Sequence, residues 1–151
     1  APVFAKIREI KPGADAKNIG IGSVVYANKP GDGSAREQAA SCQKVLGGWA
    51  NIAIEYATKR YRSNLINWGM LPFLFDGDDK ALPFKNGDYI IVPNIAAAVR
   101  DKVQNITAHV IYNEASGAYE APAEINLKLG ELTDDERKII LAGCLINYYR
   151  E

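Results

Sequence analysis

Residues 28–40 read NKPGDGSAREQAA, and their order invites chemistry. Ser34 offers a hydroxyl, Arg36 offers a forked cation two residues later, and both follow Gly31 and Gly33. If a helix starts here, its unpaired N–H groups and partial positive charge make an anion site. Glycines there let the backbone approach a ligand closely. A cation in the first helical turn opposes the dipole, so Arg36 is poorly placed for stability. It is well placed to hold a carboxylate or phosphate through a fork of hydrogen bonds. The same residues also read as a plain helix start. Ser34-Ala35-Arg36-Glu37 has the spacing of a capping box, in which the serine accepts a backbone N–H and the glutamate reaches back. On that reading Gly31, Asp32 and Gly33 simply turn the chain, and the two readings use one geometry.

Other chemistries fit these residues less well. GDGSAR is neither G-x-G-x-x-G nor a P-loop, which needs a Lys-Ser or Lys-Thr pair. GDGSA also differs in spacing from the G-x-S-x-G nucleophile elbow. The single histidine, His109, alternates with Ala108 and Val110 in NITAHVIY and is expected on the outer face of a strand, so a Ser-His-Asp triad lacks its base. The two cysteines, Cys42 and Cys144, stand far apart with no C-x-x-C pair. They are expected as buried thiols within helices, in a reducing compartment, with a cytoplasmic location. No metal or cofactor set is expected within this chain.

These residues must be positioned by a small fold. The chain has 151 residues, enough for one domain (1–151) with its own core. Eighteen basic residues balance eighteen acidic ones, so no general attraction to nucleic acid or an anionic membrane is expected. No apolar run reaches the roughly 18 residues that span a bilayer, and the first twenty residues lack the pattern of a secretory signal. The chain does not begin with methionine and is expected to be a piece of a longer polypeptide.

The periodicity predicts IGSVVYAN (21–28) as a short buried strand and a helix from Arg36 with its apolar face at Ala39, Cys42, Val45 and Leu46. A second strand is expected at 50–56. A helix through Tyr61, Leu65 and Trp68 and an edge or strand-entry segment at MLPFLF (70–75) follow. This order is a βαβ unit with parallel strands. DYIIVP (88–93) is a further strand, and Asn94 is expected to cap a short helix. NITAHVIY pairs with YEAPAEINLKL as a hairpin turning at Ser116-Gly117. A last helix opens with a capping box at Thr133 and Glu136. Residues 1–20 carry little periodicity. Lys59, Arg60 and Arg62 read as a solvated helix face.

GDGSAREQAA, LGGWANIAIEY, RSNLINWGMLPF and ERKIILAGCLINYY, in this order, resemble the C-terminal swivelling domain of the aconitase family. The resemblance runs from about residue 22 to the end. It implies an α/β fold, a swivelling β/β/α three-layer domain with a parallel βαβ core, antiparallel strands and a C-terminal helix. It also implies a hydro-lyase acting on a tricarboxylic or related hydroxy acid, in which a [4Fe–4S] cluster sits on other domains of the polypeptide or on a large subunit. By position, Ser34 matches the family's serine base and Arg36 an arginine that grips a substrate carboxylate. Gly33 and Ala35 match the substrate-binding backbone, with Gly31, Glu37 and Asn64 as structural neighbours. The isolated domain is then expected to be inactive. Two departures stand out: Ala35 replaces the family's second serine, and no threonine-aspartate-histidine segment with its arginine precedes Gly22. An isopropylmalate-dehydratase-like small subunit, or a non-catalytic anion-binding or regulatory module, are the competing readings.

Overall fold

The computed structural model describes residues 2–113 and 122–150. Its first element, helix α1 (Pro2–Ile10), lies where little periodicity was expected. A helix this short is not stable from propensity alone. It is held by Ile7, which packs with Ala14 and Ile111, flanked by Val3, Phe4 and Ile10.

Strand β1 (Ser23–Ala27), helix α2 (Arg36–Val45), strand β2 (Gly48–Ala53), helix α3 (Lys59–Asn67) and strand β3 (Leu71–Phe75) follow in turn. The three strands are parallel, with Tyr26 beside Ile52 and Ile52 beside Phe73. Next come β4 (Tyr89–Ile91), α4 (Ile95–Arg100), β5 (Asn105–Ile111), β6 (Ala123–Lys128), α5 (Asp134–Ala142) and α6 (Leu145–Tyr148). All six strands form one sheet in the order β1-β2-β3-β6-β5-β4, with every pairing beyond β3 antiparallel. The mixed α/β architecture expected from the sequence is therefore present. The β5–β6 hairpin forms as expected, while the expected turn at Ser116-Gly117 lies outside the described residues.

Strand alternation sends Ile52, Phe73, Leu127, Ile106 and Val110 to one face of the sheet. They join Ile66 of α3, Val99 of α4 and Ile139 of α5 in the main core. Each such side chain contributes about 1.5–3 kcal/mol by leaving water. A smaller cluster joins Ala40 of α2 to Tyr61 and Leu65 of α3 and to Met70.

Several local expectations give way to tertiary context. Strand β1 is an edge strand and largely exposed rather than buried. Helix α2 buries Ala40, whereas Ala39, Cys42, Val45 and Leu46 are exposed, because Ala40 is the small residue against which α3 packs. Pro72, the second residue of β3, stands at the strand entry, one of the two places expected, but is buried inside the sheet rather than at an edge. Strand β6 joins β3 only at Leu74 and Phe75, so no rung is required on that side of Pro72, where an N–H is missing. Asn94 precedes α4 in a left-handed conformation and its side chain does not cap the helix. The last helix is two: Gly143, at φ +88, ends α5, and Cys144 stands between α5 and α6, half-buried and outside either helix.

Candidate active site

The loop between β1 and α2 divides into a fixed half and an open half. In the fixed half, the Asn28 carbonyl accepts hydrogen bonds from Ile54 and Glu55 N–H, both at 3.1 Å, and the Pro30 carbonyl accepts one from Ala57 N–H at 2.9 Å. Lys29 pairs with Glu55, and that hydrogen bond and charge, with Asp32 nearby, hold its amine above the ordinary lysine value. Gly31 adopts φ +98, the left-handed region that glycine enters without strain, and a Cβ there would stand 2.5 Å from the Cβ of Tyr61. Tyr61 is itself fixed at its far end, where its hydroxyl accepts from Gln43 Nε2 at 2.9 Å and from the buried Asn51 Nδ2 at 3.1 Å.

In the open half, Asp32, Gly33, Ser34 and Ala35 are all exposed. A Cβ at Gly33 would meet nothing within 4 Å, so the fold of this chain does not require glycine there. The expected capping box at Ser34 and Glu37 is absent. Ala35 is the residue that precedes α2, and no side chain caps the helix. The backbone at Ala35, φ −87 and ψ 45, lies outside the extended region from which a cap side chain reaches the helix N–H groups. Glu37 instead accepts a hydrogen bond from Trp68 Nε1 at 3.1 Å, which ties the start of α2 to the end of α3. Ser34 is thereby left out of the cap.

Arg36 is half-buried and donates from Nε to the Gly31 carbonyl at 3.0 Å. Among the described residues its two Nη nitrogens hold no hydrogen bond or ion pair. The guanidinium is therefore oriented by one end, with the other able to fork onto an anion. Thr58, which caps α3 by accepting from Tyr61 N–H at 3.2 Å, donates to the same Gly31 carbonyl at 3.3 Å. Sequence reasoning passed over Thr58, although a threonine directly before a helical run is a standard start signal.

Asn64 sits half-buried in α3, and among the described residues its side-chain amide makes no hydrogen bond. Lys59 and Arg60 are exposed, whereas Arg62 donates to the Glu131 carbonyl at 2.7 Å and ties α3 to the approach of α5. Tyr56, behind the loop, donates to the Phe73 carbonyl at 2.9 Å, and burial holds its hydroxyl protonated. His109 is half-buried on β5, between the buried Ala108 and Val110 and opposite them in facing, as alternation requires.

The loop lies within the stretch that matches a known family model. Residues 14–78 match the family model described as the aconitase C-terminal domain. Over those residues the chain is similar to that family. Aconitate hydratase A of Rickettsia prowazekii is 31% identical over 138 residues, and its counterparts in Rickettsia felis and Rickettsia bellii are each 30% identical over 138 residues. Each alignment covers 91% of this chain, and the chain spans 15% of the length of each relative. The [4Fe–4S] cluster implied by the resemblance is ordinarily held by several cysteine thiolates. Here Cys42 is exposed on α2, contrary to the expected buried thiol, and Cys144 lies at the α5–α6 junction. Among the described residues no group of three or more His, Cys, Asp and Glu could hold a metal ion. This donor set does not fit a cluster. No helix among the described residues is long and apolar enough to cross a membrane.

Proposed function

We propose that the chain serves as the domain of an aconitase-like hydro-lyase that supplies Ser34 as a base and Arg36 as a carboxylate grip. The observation that carries this reading is the division of the loop. Arg36 is oriented through Nε with its Nη groups unspent among the described residues, beside a Ser34 that plays no part in capping α2. The likeness of residues 14–78 to the aconitase C-terminal domain supports it.

Dehydration of a hydroxy acid removes a proton from one carbon and hydroxide from its neighbour, leaving a double bond and water. A serine hydroxyl is a weak base at its ordinary pKa. The exposed N–H groups of α2 and the Arg36 cation supply a positive field that favours the alkoxide, which then takes the proton from carbon. The Arg36 Nη fork holds a substrate carboxylate by charge-assisted hydrogen bonds and fixes the carbon bearing that proton against Ser34. The remaining machinery, including the cluster, belongs on this reading to other domains, and the isolated chain is inactive.

The test is Ser34→Ala in the complete enzyme, assayed against a panel of citrate-like hydroxy acids. The expected result is a fall in kcat of roughly 10²–10⁴-fold, with KM changed by no more than a few-fold. A raised KM with unchanged kcat would reduce Ser34 to a binding residue.

A further inference from the structure

We infer that Thr58, at the start of α3, is a positioning residue for Arg36. The inference rests on the proposed role of Arg36 and extends it to an element that touches no substrate.

One carbonyl oxygen joins the two residues. Gly31 O accepts from Arg36 Nε at 3.0 Å and from Thr58 Oγ1 at 3.3 Å. A carbonyl has two lone pairs, so both bonds form together and each fixes the direction of the other. The Thr58 hydroxyl spends its proton on Gly31 and a lone pair on Tyr61 N–H, 3.2 Å away. The first turn of α3 is thus linked through one hydroxyl and one peptide to the guanidinium. The peptide itself has little freedom, because Tyr61 packs directly against Gly31 and Pro30 O is held by Ala57 N–H at 2.9 Å. Removing the Thr58 hydroxyl leaves the Gly31 carbonyl directed from one side only. Arg36 Nε then follows it, and the Nη fork swings with the ring of bonds that carried it. Displacements on this scale in a positioning contact cost binding without removing the group that binds.

The experiment compares five variants of the complete enzyme. Thr58→Val keeps the shape and deletes the hydroxyl, and it is expected to raise KM for a carboxylate substrate roughly three- to tenfold with kcat within about twofold. Thr58→Ser restores the wild-type KM. Thr133→Val removes the equivalent cap from α5, lowers the melting temperature similarly and leaves KM unchanged, which separates positioning from lost stability. Thr58→Val adds no further rise in KM on an Arg36→Ala background, because both act through one contact. If Thr58→Val lowers the melting temperature and leaves KM at the wild-type value, the inference is overturned while the role of Arg36 stands. If Arg36→Ala itself leaves KM unchanged, the proposed grip fails, and the inference fails with it.

Discussion

Helices α5 and α2 are both preceded by a hydroxyl residue followed three positions later by glutamate. At α5 the box closes. Thr133 accepts from Glu136 N–H at 3.1 Å, and Glu136 accepts from Thr133 N–H at 2.7 Å. Asp134, Asp135 and Glu136 fill the first turn, where the dipole favours them. At α2 the hydroxyl stands one residue too early, Ala35 sits outside the extended region, and Glu37 is engaged by Trp68. Thr133, by contrast, has φ −68 and ψ 163. One helix start satisfies its own backbone. The other leaves its N–H groups and a serine facing outward, with an arginine in the turn that α5 fills with acids. The difference between a finished terminus and an unfinished one lies in backbone angles, which a residue pattern does not encode.

That contrast can be broken at several points. The largest effect is expected from Ser34→Ala, which removes activity as described while leaving the melting temperature of the domain within error, since no cap is lost. A melting temperature that drops by as much as for Thr133→Val would return Ser34 to a capping role. Thr133→Val is expected to cost about 1 kcal/mol in chemical denaturation, the ordinary worth of a threonine cap. Ala35→Ser, which restores the family's second serine, is expected to change stability by less than about 0.5 kcal/mol, because the backbone there does not present a cap geometry. A gain of a full capping increment would show that α2 can finish itself.

The smallest effect concerns acid. Lys102 Nζ lies 3.0 Å from Asp134 Oδ1, and this hydrogen bond, followed by the lysine charge, holds the Asp134 carboxyl below its ordinary value of 3.8. A carboxyl depressed in the folded state adds stability above the unfolded value and loses it as pH falls through the lower, folded one. Lys102→Met should therefore flatten the acid limb of a stability–pH curve below about pH 4 by slightly lowering stability at neutral pH, and leave the fully acid region unchanged. No comparable change is expected at α2, whose first turn carries Glu37 as its sole acid.

What the sequence made legible follows the same line. The βαβ unit, the β5–β6 pairing and the α5 box rest on local patterns without competitors, and they are present. Alternation placed His109 correctly for the same reason. The face of α2 was misread because Cys42, Val45 and Leu46 are apolar yet exposed, while small Ala40 provides the contact with α3. Helix α1 was missed because its stability comes from Ile7 against Ile111 of β5, a contact between residues far apart in the chain. In the site, Ser34 and Arg36 were visible as chemistry. Thr58 was not, because its importance lies in sharing one carbonyl with Arg36, a coincidence in space between residues of two different helix starts.

Gly33 works as a gauge of clearance. With empty space around its missing side chain, the domain tolerates larger residues at that position. Any size limit found there in the assembled protein is set by what closes over the loop. A ladder of alanine, valine and leucine at residue 33 would read the width of that gap in steps of one or two carbon atoms.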